Sequence, residues 1–374
     1  MRIQNPRVSY QHPFKALMLS VSIITALTGV AAAQPGGLSV QPSITSAMAA
    51  KSVMLSVARA GQRLVAVGER GFIVVSEDNG GSWRQVRSPV SMTLVKVRFL
   101  DDLEGWAVGH AGVVLHSRDG GLNWDKQLDG VLAADIELQE AKQVAEAARD
   151  AEKAQERLAQ AQQLVDDGPD KPFLDLLFVD ARNGIVVGAY GLAFVTHDGG
   201  LTWQSMRSRI DNPSGLHLYS IERVGTDLFI AGEQGTLLRS SDEGKTFESL
   251  ASPYEGTTFG LQSTNAGSIL AFGLRGKAFE SKDRGDTWQR LDTLQPVTLT
   301  SGLRLEDGSV LLADESGRVL RFQQGSTKAS VLKITQPSYF TGMAQAANGS
   351  LIISSARGML SSADAVESPE QINE

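Results

Sequence analysis

Hydrophobic positions in this chain come in short β-branched bursts. Between 94 and 128 they form the runs LVKVRFL (94–100), GWAVG (105–109), VVLHS (113–117) and NWDKQL (123–128), separated by turn residues. That is the pattern of four short strands in an antiparallel sheet. The pattern returns along the chain. VGERGFIVVSEDNGGSW at 67–83 is echoed by GHAGVVLHSRDGGLNW (109–124), GAYGLAFVTHDGGLTW (188–203), GEQGTLLRSSDEGKTF (232–247) and GLRGKAFESKDRGDTW (273–288). Two weaker copies, DESGRVLRFQQG (314–325) and SARGMLSSADAVES (355–368), keep the opening and lose the acidic turn. The anchoring glycines are Gly71, Gly112, Gly191, Gly235, Gly276, Gly317 and Gly358, in steps of 41, 79, 44, 41, 41 and 41 residues.

A four-stranded unit of about 40 residues repeated seven times predicts an all-β, seven-bladed propeller, with the blades packed around an axis and only short edges exposed. A solenoid would need atypical capping units, and here the first copy is among the best preserved. The propeller is expected over 53–368, followed by a tail at 369–374. The seventh unit supplies three strands, so LSVQPSI (38–44), within an N-terminal segment at 34–52, is expected to close the ring by pairing in the last blade.

The one irregular step holds VLAADIELQEAKQVAEAARDAEKAQERLAQAQQLVDD at 131–167, a stretch without Gly or Pro and rich in helix formers, between blades 2 and 3. Val144, Ala148, Ala151, Leu158 and Val165 give it a weakly apolar face. A straight helix over 132–165 would be about 50 Å long, whereas the residues after it return at most roughly 28 Å. A helical hairpin broken near Arg149 to Lys153 is therefore expected. Nine acids and four bases give the segment a charge of −5, which suits a solvated decoration and a partner contact equally.

The acidic turn reads Ser/Thr-x-Asp-x-Gly-x-x-aromatic in five units, centred on Asp78, Asp119, Asp198, Asp242 and Asp283. The Asp and Ser/Thr side chains can bond the backbone of their own turn, the glycine admits positive φ, and the aromatic residue packs the outer blade. Five equivalent positions around a rim are too dispersed to cooperate in one reaction, so a structural role is expected.

Composition narrows the chemistry. The chain has 374 residues, no cysteine and a net charge of −7, which excludes disulfides and thiolate or Cys-metal sites and makes nucleic acid a poor partner. Arg2, Arg7 and Lys15 precede ALMLSVSIITALTGV, with Ala31 and Ala33 behind it, the pattern of a signal peptide cleaved after Ala33. A periplasmic, non-spanning monomer of charge −10 is expected. His110, His116, His197 and His217 lack metal-ligand spacing, and DEGKTF (242–247) lacks the first glycine of a phosphate loop. Neither a metal nor a cofactor is implied.

The repeated S-x-D-x-G-x-x-W turn resembles the Asp-box, or BNR repeat, of sialidases and other propellers, and the VGxxGxxxxSxDxGxxW unit resembles the photosystem II assembly factor family over roughly residues 50–362. The resemblance implies a propeller without catalysis that helps a membrane-protein partner in the cell envelope to assemble; such proteins also occur in bacteria that do not photosynthesise. Units six and seven depart from the Asp-box, and the helical insertion lies outside the shared repeat. The alternative is glycan binding or sialidase-like hydrolysis. No Arg-Ile-Pro segment is present, and Tyr190, Tyr219, Tyr254 and Tyr339 sit in no recognisable constellation with paired carboxylates.

With strands A to D running outward, the B–C turns and D–A connections share one face and the acidic C–D turns the other. Arg70, Arg275 and Arg357, with Tyr190, occupy equivalent B–C turns and share a face with the insertion. They are the candidate partner-binding residues.

Overall fold

The computed structural model describes residues 41–147 and 151–362. Seven antiparallel sheets follow one another along the chain, at 54–86, 94–128, 173–205, 218–249, 258–290, 299–332 and 340–362. The first six have four strands each, and the seventh has three among the described residues. In the second blade the strands are Leu94–Phe99, Gly105–Gly109, Val114–Ser117 and Asp125–Leu128, as the bursts predict.

The innermost strand of each blade adjoins that of the next, and Phe340–Gln345 returns to Met54–Ala60, closing a ring. Seven apolar cores lie between successive blades. Val65, Val75 and Leu115 join blades 1 and 2, and Met54, Leu64, Val74 and Ile352 join blades 7 and 1. Strands buried on both faces explain why inner runs such as GWAVG read as continuous rather than alternating.

The repeating glycine has a steric cause. In blades 1 to 6 the B–C turn leans on the D–A connection of its own blade. At Gly71, with φ +70°, an added Cβ would lie 2.1 Å from the Val90 carbonyl oxygen. Left-handed backbone and close approach together demand glycine there.

The expected hairpin forms. Helix α1 spans Gly130–Ala147 and helix α2 spans Ala151–Asp167. They pack through Leu138, Ala141 and Ala161, flanked by Leu158 and Val165. Of the expected break at Arg149 to Lys153, residues 149–150 lie outside the described residues and 151–153 open α2. Val144 is only half-buried.

Of the stretch expected to close the ring, only the end at 41–44 is described. Residues 41–44 form no strand of blade 7. Ser43 N–H donates to Ser88 O at 3.1 Å and Gln85 Nε2 to Ile44 O at 2.7 Å, so this stretch runs beside the outer edge of blade 1. Pro42 lacks the N–H that a ladder needs. The seam is made by packing instead: Gly358 rests on the Ala50 carbonyl, Thr341 Oγ1 donates to Met54 O at 2.7 Å, and Asn348 N–H donates to Asn79 Oδ1 at 3.2 Å. The signal-peptide pattern at 1–33, residues 34–40 and the C-terminal stretch 363–374 lie outside the described residues.

Candidate functional site

The acidic turns are closed on themselves. In the first, Ser76 Oγ donates to Asp78 Oδ1 at 2.8 Å, Ser82 N–H to the same oxygen at 2.8 Å and Ser82 Oγ to Oδ2 at 2.6 Å. Asp119, Asp198, Asp242 and Asp283 repeat the arrangement with their own neighbours. The Thr202 hydroxyl and N–H hold the Asp198 carboxyl down at about 2. These carboxylates act within their turns.

The opposite face carries the hairpin. Arg70, Tyr190 and Arg275 stand at the B–C turns of blades 1, 3 and 5, all exposed and all left-handed, with φ of 55°, 56° and 56°. Ala111 and Gln234 fill the same position in blades 2 and 4, so the strained backbone belongs to the repeat and only the side chain varies. Arg357 is exposed at the turn of blade 7 without the left-handed conformation. The three arginines therefore form a neighbouring pair on blades 7 and 1 and a separate cation on blade 5.

Tyr190 is the best supported of the four. Its ring lies 5.3 Å from Lys171 Nζ and 4.8 Å from His217, which stacks toward Tyr219; Tyr219 in turn meets Phe259 edge-on at 5.1 Å. Arg207 ties the turn to the hairpin, donating to Tyr190 O and to Gln160 Oε1. Sequence reasoning missed the apolar companions. Met48, Val131, Leu132, Leu294 and Tyr339 are large, exposed and lie at D–A connections of the same face or, for Met48, just ahead of blade 1. Their signal was an apolar residue in an otherwise polar connection, which becomes meaningful only once the connections share a face.

The hairpin docks beside them. Glu137, buried, accepts hydrogen bonds from Ser205 Oγ and from Arg157 at 3.4 Å, and Ser208 Oγ donates to Glu140 at 3.0 Å. Burial raises the Glu137 carboxyl despite Ser205 and Arg157.

A cavity of about 430 Å³ lies on the propeller axis, lined by the inner strands. Arg98 on blade 2 donates to both oxygens of Asp175 on blade 3, at 3.1 and 2.8 Å, and to Glu222 on blade 4 at 3.1 Å. Burial would lower the Arg98 guanidinium, but the two carboxylates outweigh it and hold it raised. Burial likewise pushes Asp175 upward, and the Arg98 and Lys96 charges bring it below the usual carboxylate range. Neither the ring of ion pairs nor the cavity was legible in the repeat alone.

The family model "Photosynthesis system II assembly factor YCF48" matches residues 43–145 and 154–311. The chain belongs to the YCF48 family. The interval between the two matched stretches, 146–153, falls within the hairpin, most of which the family model matches. The chain is 28% identical over 123 residues to the photosystem II assembly lipoprotein Ycf48 of Synechococcus sp. (strain CC9902), a match covering 31% of this chain and 35% of that protein. It is 35% identical over 72 residues to the uncharacterized protein YkuO of Bacillus subtilis (strain 168), covering 19% and 24%. The matched stretches thus span about a third and a quarter of these curated relatives. Among solved structures, "YCF48 bound to D1 peptide" aligns with a TM-score of 0.60 at 16% identity, over 86% of this chain and 95% of that one. "YCF48 from Cyanidioschyzon merolae" aligns with the same score and identity over 83% and 95%. A GH74 enzyme of Niastella koreensis shares the propeller at 10% identity and a TM-score of 0.60, covering 85% of this chain and 53% of that one. At such identities these structures attest the fold.

Among the described residues no helix is long and apolar enough to cross a membrane, and no three His, Cys, Asp or Glu side chains cluster as metal ligands.

Proposed function

We propose that the chain is a non-enzymatic assembly or accessory factor that holds an acidic, extended segment of a membrane-protein partner against the hairpin-bearing face. The observation that carries this reading is the gathering there of exposed Arg70, Arg275 and Arg357 with exposed Tyr190, Tyr339 and Met48. Arg, Tyr and Met are the residues enriched where proteins bind one another, and guanidinium groups suit carboxylates and backbone carbonyls. YCF48 family membership and a fold relative bound to a D1 peptide support a peptide segment as ligand. Export to the periplasm is part of the proposal and rests on the N-terminal pattern Arg2, Arg7, Lys15 and Ala31, Ala33.

Hydrolysis finds less support. A tyrosine nucleophile needs its proton made easy to lose, whereas burial, and then Glu233, push the Tyr219 phenol upward. The acidic-turn carboxylates are engaged by their own turns.

The test compares Arg70→Ala, Arg275→Ala, Arg357→Ala together with an Asp78→Ala, Asp119→Ala pair, using pull-down from solubilised envelope and thermal melts. The arginine variant is expected to keep its Tm, each exposed change lying within about 0.5 kcal/mol, and to lose the partner. The aspartate pair is expected to lower Tm and retain it. Undiminished retention by the arginine variant removes these residues from the site.

A further inference from the structure

The inner strands share one register, because each of them slips by one residue at its start. The residue two places on from that start faces the axis in every blade. In blades 1, 3 and 4 this residue caps the neighbouring blade. Ser56 Oγ accepts from Val97 N–H at 3.2 Å, Asp175 Oδ2 from Ile221 N–H at 3.1 Å, and Ser220 Oγ from Leu261 N–H at 3.2 Å. In blade 2 the position is Lys96, whose ammonium can only donate. The N–H it would have capped, that of Leu176, turns to Asp175 Oδ1 instead, at 2.8 Å.

Lys96 therefore contributes nothing to the repeat's own bonding. Among the described residues its Nζ has no hydrogen bond and no ion pair within 4 Å. The nearby carboxylates are engaged: Arg98 holds Asp175 and Glu222, and Arg59 pairs with Glu306 at 2.9 Å. Arg304, the remaining cation of the cavity, reaches only Ser263 Oγ, at 3.4 Å. Four cations thus meet three carboxylates on the axis of a chain whose net charge is −7. Burial lowers the Lys96 ammonium, and Asp175 and Glu222, already held by Arg98, only partly offset it, so in this confined channel an incoming anion is worth more to it than on an open surface.

We propose that the axial channel is a carboxylate-binding site, with Lys96 as the anchor and the edge-on Tyr219–Phe259 pair receiving the apolar group attached to the carboxylate. Those two rings sit one residue closer to the start of their strands than Lys96 does in its own, which puts them toward the hairpin-bearing face. The ligand enters from that face, rings first and ammonium last. A cavity of about 430 Å³ is of a size that takes small ligands. The carboxylate comes from the C-terminus of an extended peptide or from a free short-chain acid. The peptide form rests on the proposed function, and the free-acid form does not.

Calorimetric titration of the chain with acetyl-tetraalanine bearing a free carboxylate, with its C-terminal amide and with sodium propionate separates the cases. The free-acid peptide is expected to bind about tenfold tighter than the amide, the scale of one charge-assisted hydrogen bond. Lys96→Met should abolish that preference, and Lys96→Gln guards against a folding failure in the first variant. Propionate binding that disappears in both variants supports the site with a small acid as its source, whatever becomes of the arginine face. Equal binding of acid and amide, with no propionate binding, overturns the proposal while leaving the partner pull-down to stand or fall on its own.

Discussion

Asp198 shows how a single acidic residue shapes one blade. Its carboxylate takes hydrogen bonds from Thr196 Oγ1, Thr202 N–H and Thr202 Oγ1 at 2.8, 2.9 and 2.6 Å, so Asp198→Ala removes a cap from three donors at once. A loss of about 1–2 kcal/mol at neutral pH is expected, comparable to losing a helix cap. The pH dependence has a definite sign. The folded carboxyl titrates at about 2 against the ordinary 3.8, so the stabilisation is present above pH 4 and disappears as pH falls toward 2. The Tm gap between wild type and Asp198→Asn should accordingly close between those pH values. A gap that persists at pH 2 would mean that the carboxylate's charge is immaterial to the turn.

At the scale of elements, a buried ion pair ties the two helices of the hairpin together beside their apolar contacts. Arg157 reaches Glu137 at 3.4 Å and Glu140 at 3.2 Å, beneath the contact with Ser205. Arg157→Met strands Glu137 in a buried place, and removing one partner of such a pair costs about 3 kcal/mol. Hydrogen exchange of amides in α1 and α2 should rise by about a hundredfold while the blades stay protected. Glu137→Gln should be milder, since burial already disfavours its ionised form. The pairing of two helices was legible because chain reach is simple arithmetic, and the blades because a spacing of 41 recurs. Lys96, Arg98, Asp175 and Glu222 were not. They come together only when inner strands from different blades are set in register, and that register turns on a slip at the start of each strand which the periodicity does not reveal. LSVQPSI has strand-like residues, yet Pro42 and the edge at Ser88 decide where its described end, 41–44, lies.

For the whole molecule, the ring is a sequence of wedges. Each core joins two neighbouring blades, and few bonds reach further. Arg98 is an exception, linking blade 2 to blades 3 and 4 through Asp175, Glu222 and the Ile221 carbonyl. Arg98→Met is expected to lower the stability of the ring by about 3 kcal/mol because it leaves Asp175 buried with its strongest partner gone. A denaturant midpoint unchanged from wild type would show that Lys96 or water takes over the pairing.

The seam between blades 7 and 1 has a consequence in time. Met54, Leu64, Ala66 and Val74 belong to the first blade to leave the ribosome, yet their cover, Ala344 and Ile352, is among the last. At about 5–20 residues per second, the nearly 300 residues between them take roughly 15–60 s to synthesise. For that interval the earliest surface of the protein is apolar and bare. The first blade must therefore wait for the last, and whatever shields a nascent chain from aggregation has to act longest on the part that was made first.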